Sequence, residues 1–274
     1  MNEIPFYKMS GSGNDFIIID NRNQIVPESG LPQFILRVCR RKLSAGADGV
    51  ILIENSDKAD FKWRFFNSDG SLAEMCGNGA RCAARFACVN GIAGTQLAFE
   101  TEAGIIMAQI NNDRVKVNMP NPTDLKLDYD VALKGGAINV CSVNTGVPHV
   151  VIMKDQIETV EVVNLGREIR YHTDFTPDGT NVNFFSRNSN NEIAIRTYER
   201  GVENETLACG TGSIAGALIA ACKLEMKSPI RVLTRSGEHL TIFFSQTDNR
   251  FEDIYMEGDA RIIYHGKLFS DAWM

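Results

Sequence analysis

The sequence predicts an α+β fold made of two similar domains, each a curved, mostly antiparallel sheet or barrel around one central helix. Three observations predict it: an internal repeat, one long Ala-rich helical run in each half, and many short β-like runs around those helices. The repeat is the most specific. Cys76-Gly-Asn-Gly recurs as Cys209-Gly-Thr-Gly, an offset of 133 residues (76 to 209), and other landmarks recur at that offset without a gap. Gly13 falls on Gly146, Gly46 on Gly179, and Thr101 and Gly104 on Thr234 and Gly237. Several matches in one register mark two copies of one supersecondary unit, far longer than the short periods of solenoids.

Taken in order, the first copy has β-like runs at Phe16–Asp20, Gly49–Glu54 and Phe61–Asn67, with a helix near Pro32–Arg41 between the first two. The helical run Ala80–Asn90 follows Cys76, then strands at Gln96–Glu100, Ile105–Ile110 and Arg114–Met119. Met119-Pro-Asn-Pro-Thr123 is the expected domain break, because two prolines interrupt strand pairing. It divides 1–120 from 121–262, and a tail of about 263–274 is expected to return to the first domain. The second copy repeats the pattern with strands at Cys141–Val143, His149–Met153, Val182–Phe185 and Glu192–Glu199, and a helix near Glu161–Tyr171. It closes with the helical run Ser213–Leu224 after Cys209 and strands at Ile230–Thr234, Leu240–Phe244 and Ile254–Met256.

The chain has 274 residues, 44% hydrophobic and 23% charged, an ordinary globular composition. A formal net charge of −6 without a basic cluster argues against nucleic acid and anionic membranes as partners. The longest apolar stretch, Leu207–Cys222, is too short and Gly-rich to span a bilayer, and Met-Asn-Glu-Ile-Pro lacks the character of a signal peptide. Seven cysteines without disulfide-scaffold density fit a reducing compartment, so a cytoplasmic location is expected.

The chemistry centres on Cys76 and Cys209. Each opens a helix, where backbone N–H groups and the helix dipole stabilise a thiolate. The adjoining glycines let a carboxylate approach the same N–H groups. Two such thiols, one from each copy, could act on opposite faces of one bound carbon and so invert a stereocentre. Cys39, Cys82, Cys88, Cys141 and Cys222 have no such setting and read as packing residues. Metal binding is not expected: Cys76, Cys82 and Cys88 are spaced by six, and the four histidines form no paired motif. Gly210-Thr-Gly-Ser-Ile-Ala matches a dinucleotide fingerprint, but Glu203–Cys209 separates it from the preceding strand, so no nicotinamide or flavin cofactor is expected. A thiol–disulfide enzyme would pair its cysteines as Cys-x-x-Cys, which is absent here. Thr101 and Thr234 read as turn residues.

Together these residues resemble the diaminopimelate epimerase family of pyridoxal-independent amino-acid racemases. The resemblance spans nearly the whole chain and is carried by Gly11-Ser-Gly-Asn-Asp-Phe, Phe66-Asn67, Cys76-Gly-Asn-Gly-Ala-Arg-Cys, Pro148-His149, Asn183-Phe184 and the run from Glu199-Arg200 to Cys209-Gly-Thr-Gly. It implies that Cys76 and Cys209 are the acid/base residues. Gly77, Asn78, Gly210 and Thr211 would hold the reacting carboxylate, and Asn14, Asn67, Asn183, Glu199 and Arg200 would bind substrate. His149 and Glu199 would tune the thiols, with no cofactor, and a homodimer is expected. The chain departs from the family pattern at Val147, where Asn is frequent, at Gly49, where some members carry Gln, and at Asn204, where Gly is usual. A proline or hydroxyproline racemase is the alternative within the same chemistry, and a non-catalytic amino-acid-binding protein the alternative outside it.

Overall fold

A computed structural model describes residues 3–274; Met1 and Asn2, part of the stretch read above for a leader, lie outside them. The chain divides into two compact units. One holds the described residues up to Val117 together with Gly258–Met274, and the other holds Asn118–Glu257.

The first unit contains β1 (Ile4–Gly11), β2 (Asn14–Asp20), α1 (Leu31–Val38), β3 (Gly49–Glu54), β4 (Phe61–Asn67), the short β5 (Leu72–Ala73) and α2 (Gly77–Val89). It continues with β6 (Gln96–Thr101), β7 (Gly104–Asn111) and β8 (Arg114–Asn118). The second unit contains β9 (Thr123–Leu133), β10 (Gly136–Asn144), β11 (Pro148–Met153), α3 (Val162–Arg170), β12 (Asn181–Ser189), β13 (Glu192–Glu199) and β14 (Asn204–Thr206). Then come α4 (Gly210–Leu224), β15 (Ile230–Leu233), β16 (His239–Thr247) and β17 (Arg250–Asp259), whose last two residues belong to the first unit, as does β18 (Arg261–Leu268).

The two units share one topology. In the first, strands run in the spatial order β18-β1-β2-β3-β4-β6-β7-β8, with β5 also on β4. In the second the order is β9-β10-β11-β12-β13-β15-β16-β17, with β14 also on β13. Only two joints in each are parallel, β2–β3 and β4–β6 in one, β11–β12 and β13–β15 in the other. A parallel joint needs a crossover, and each of the four α-helices supplies one. The fold is thus α+β and mostly antiparallel, as its pattern of runs predicts.

The helices decide which strands are continuously apolar. Leu31, Phe34, Ile35 and Val38 of α1 pack with Ile17, Ile19, Val50 and Leu52 on one face of β2 and β3. A Cβ at Gly79 of α2 would touch Phe16, Ile51 and Trp63, which point to the other face. Both faces are covered, so Phe16–Ile19 are fully buried as an unbroken run. α3 covers Val150, Ile152, Val182 and Phe184 in the same way, while Gly216 of α4 lies against Ile193 and Ile195 on the other side.

Five strands lie beyond the sequence reading, among them the short β5 and β14. β1 and β18 flank the repeat, and β9 directly follows the Pro120/Pro122 break. The prolines end β8 and leave β9 free to pair with β10 from Thr123 onward. The two helices expected near Pro32–Arg41 and Glu161–Tyr171 are present as α1 and α3. Thr101 and Thr234 close hairpins by donating to the carbonyls of Gly104 and Glu238.

Candidate active site

In the first unit Cys76 is the residue before α2, with extended backbone (φ −148°, ψ 115°), and its carbonyl accepts from Ala80 N–H at 2.8 Å. Its side chain does not cap the helix, so the first-turn N–H groups remain directed at whatever binds there. The thiol lies 3.6 Å from Asn14 Oδ1, and Asn14 Nδ2 donates to Asp48 at 2.7 Å. The β1–β2 turn reaches the helix closely because Gly11 has no side chain: a Cβ there would sit 3.0 Å from the Asn78 carbonyl. Asn67, at the exposed end of β4, donates to Ser71 Oγ at 3.0 Å, in the hairpin that leads into Cys76.

Beneath this turn lies Arg81, fully buried. It donates to Asn78 Oδ1 (2.9 Å), Ser12 Oγ (3.0 Å) and the Asp259 carbonyl (3.2 Å). Burial pulls its pKa below the usual value, and the sulfurs of Cys82 and Cys76 and the Asp259 carboxylate oppose that. A Cys76 thiolate is therefore stabilised by this cation. The matching position of α4 is Ile214, equally buried, so the two thiols sit in unequal fields. Arg81 escaped the sequence reading; its place inside the Cys-Gly-Asn-Gly-Ala-Arg-Cys string was the available signal.

In the second unit Cys209 precedes α4 with φ −120° and ψ 116°, and Ser213 N–H and Oγ both donate to its carbonyl. Its sulfur lies 3.5 Å from Thr211 Oγ1, and Thr145 Oγ1 donates to the Thr211 carbonyl at 3.0 Å. His149, only 1% exposed, has its Nδ1 3.0 Å from Asn183 Nδ2, and its Nε2 has no hydrogen-bond partner among the described residues. Burial first, and Arg200 second, push His149 down to about 3, so its imidazole is neutral at working pH. A buried N–H left without an acceptor costs about 1–3 kcal/mol.

Glu199 accepts from Thr206 Oγ1 at 2.8 Å, and burial raises its pKa. Arg200 is placed by its backbone, whose N–H donates to Asn181 Oδ1 at 2.9 Å, and its guanidinium reaches the Asp178 carbonyl. The sequence-predicted residues thus form two groups, one per unit. Asn14, Gly77 and Asn78 lie at Cys76; Gly210 and Thr211 lie at Cys209, and Asn183, which holds His149, lies against Gly212 in the same first turn. Asn183 is fully buried, and its amide is hydrogen-bonded inside the unit to His149, Val150 and Thr197. Asn181, two residues earlier on β12, is the amide that reaches Arg200, a residue the sequence reading passed over.

The other cysteines answer to packing. Burial pushes Cys39 and Cys82 up to about 12, Cys222 up to about 11, and Cys141 upward. Such thiols are poor nucleophiles.

A family model for diaminopimelate epimerase matches residues 6–125 and 141–263. The chain belongs to the diaminopimelate epimerase family. Among curated relatives, the diaminopimelate epimerase of Aquifex aeolicus is 47% identical, covering 97% of this chain and 98% of the relative. Those of Hydrogenobaculum sp. and Archaeoglobus fulgidus are 44% and 42% identical, covering 95% and 97% of this chain and 97% and 96% of the relatives. Solved structures show the same fold at low identity. A Bacillus anthracis phenazine biosynthesis protein of the PhzF family superposes with a TM-score of 0.77 at 14% identity, covering 98% of this chain and 100% of the other. A probable proline racemase from Agrobacterium radiobacter gives 0.72 at 13% identity, covering 97% and 93%. Among the described residues of this diaminopimelate epimerase family member, no helix is long and apolar enough to cross a membrane.

Proposed function

We propose that this chain epimerises LL-2,6-diaminopimelate to meso-diaminopimelate with Cys76 and Cys209 as the acid/base pair, in the formation of lysine and peptidoglycan precursors. The observation that carries the reading is the placement of a cysteine at the N-terminus of the corresponding helix in both copies of the repeat, in a chain of this family.

An amino-acid α-hydrogen is very weakly acidic, and an ordinary thiol has a pKa of about 8.5. The proton moves only if the carbanion is stabilised as it forms. Backbone N–H groups at Gly77–Asn78 and Gly210–Thr211 are the donors for a carboxylate gaining enolate charge, and losing one such donor typically costs about 10²–10³ in rate. One sulfur leaves as thiol after taking the proton from one face, and the other delivers its own proton to the opposite face. The pair needs one thiolate and one thiol, so activity peaks between two apparent pKa values. Asn14, Asn67, Glu199 and Arg200 are the proposed substrate contacts, and His149 and Glu199 are the proposed groups that tune the two thiols. No cofactor is needed in this reading. Homodimeric assembly and a cytoplasmic location belong to the same proposal, the second supported by cysteine usage; light scattering tests the first.

The test is proton NMR with LL-diaminopimelate in D₂O without pyridoxal phosphate or metal, beside an L-proline control. Deuterium at one α-carbon with appearance of the meso isomer is expected, and Cys76→Ala and Cys209→Ala should each abolish it while circular dichroism stays unchanged. Exchange on proline alone moves the substrate. Binding without exchange makes the protein a carrier.

A further inference from the structure

Every hydrogen-bonding atom of the Asn183 side chain is committed inside its own unit. The amide nitrogen donates one hydrogen to the Val150 carbonyl and one to His149 Nδ1, each at 3.0 Å, and the amide oxygen accepts from Thr197 Oγ1 at 2.9 Å. A backbone carbonyl can only accept, so the Val150 contact fixes which end of the amide is nitrogen. His149 Nδ1 must then be an acceptor, and the imidazole proton resides on Nε2. Nε2 is the buried ring atom without a partner among the described residues.

Gly212 shows how near the Asn183 amide lies to the Cys209 thiol. A Cβ at Gly212 would come within 2.3 Å of Asn183 Oδ1 and 3.3 Å of the Cys209 sulfur. The amide therefore sits directly under the first turn of α4, and only glycine there leaves room for it.

We propose that Asn183 is a positioning residue, the middle of a Thr197–Asn183–His149 chain that locks the imidazole as its Nε2–H tautomer and holds that N–H as a fixed neutral donor for an anion. The anion is the Cys209 thiolate or the substrate carboxylate. The proposal rests on the reading of His149 as a group that tunes a catalytic thiol, and it replaces the assignment of Asn183 to substrate binding.

The test is the long-range ¹H–¹⁵N spectrum of the four histidine rings in the full-length protein, with the His149 signals identified by their loss in His149→Gln. The expected result is a proton-bearing Nε2 and a bare Nδ1. In Asn183→Asp the carboxylate accepts where the amide donated, and the proton should appear on Nδ1. In Asn183→Ala the tautomers should mix, and kcat should fall by about 10- to 100-fold with KM nearly constant. Should Asn183→Ala fail to fold, Thr197→Val reads the same chain by releasing the amide oxygen. A wild-type ring protonated on Nδ1 overturns the proposal. So does an Asn183→Ala enzyme with raised KM and unchanged kcat, which would make Asn183 a substrate ligand after all. Comparing the spectrum of Cys209→Ala with and without substrate tells thiolate from carboxylate as the acceptor. A protein inactive on diaminopimelate overturns the activity proposed above, while the tautomer, read without turnover, still decides this inference.

Discussion

At the scale of single residues, Arg81 marks where the two copies diverge, a guanidinium in the core where α4 has Ile214. Replacing it by Met keeps most of the volume but removes the donors to Asn78 Oδ1, Ser12 Oγ and the Asp259 carbonyl. We expect a loss of about 3 kcal/mol or more, read as a lower denaturation midpoint in urea. His149 supplies a pH signature. The unfolded chain takes up its proton near 6.5 and the folded chain near 3, so between those values the unfolded state binds more protons. Stability therefore rises with pH across that window, by up to about 1.4 kcal/mol per unit, and this contribution should vanish in His149→Gln. Urea titrations at about pH 7 and 4.5 check it; equal slopes in both proteins would sink the assignment. Glu199 has the opposite sign: its raised pKa means that stability is lost as pH rises from the ordinary 4.5 toward the folded value. The place of Cys76 and Cys209 at two helix starts was legible in the sequence because each stands before a Gly-x-Gly that opens an Ala-rich run. Asn183 was not, since strand position does not reveal whether an amide faces solvent or a neighbouring ring.

Among the elements, helix–sheet contact depends on missing side chains. Gly49 opens β3, and a Cβ there would lie 2.5 Å from the Phe66 carbonyl and 2.6 Å from the Phe65 ring. This strand start has no space for a side chain unless β4 moves. Gly49→Ala should cost about 1–3 kcal/mol, visible as a lower melting temperature. Gly212→Ala should behave differently, displacing Asn183 and lowering turnover more than stability. The strands of the repeat were legible because β2, β3, β11 and β12 are continuous apolar runs buried on both faces and the others alternate around buried apolar positions. β9 was not, though its Leu125-Lys-Leu-Asp-Tyr-Asp-Val131 alternates with period two. Its charged positions face outward and only Val131 is fully buried, so hydrophobicity alone understates it.

The whole molecule repeats one topology, but the copies draw their outermost strand from different places. β10 pairs with β9, its immediate predecessor in the chain, whereas β1 pairs with β18 from the far end of the sequence. Leu268 and Trp273 pack with Ile4, Phe6 and Phe34 in the first unit's core. Removing residues 258–274 should leave the second unit's pairing intact while exposing β1, and the shortened protein should aggregate on size-exclusion chromatography.

The return of β18 also has a consequence in time. Synthesis runs from β1 onward, so the ribosome delivers nearly all of the first unit before any of the second. Its closing strand comes after β17. At translation speeds of about 5–20 residues per second, the nascent β1 waits for its neighbour for roughly ten seconds or more. Throughout that interval it is an open sheet edge on a crowded polysome. Pro5 and Lys8 lie on that strand, and proline and lysine are residues that discourage an edge from recruiting another chain.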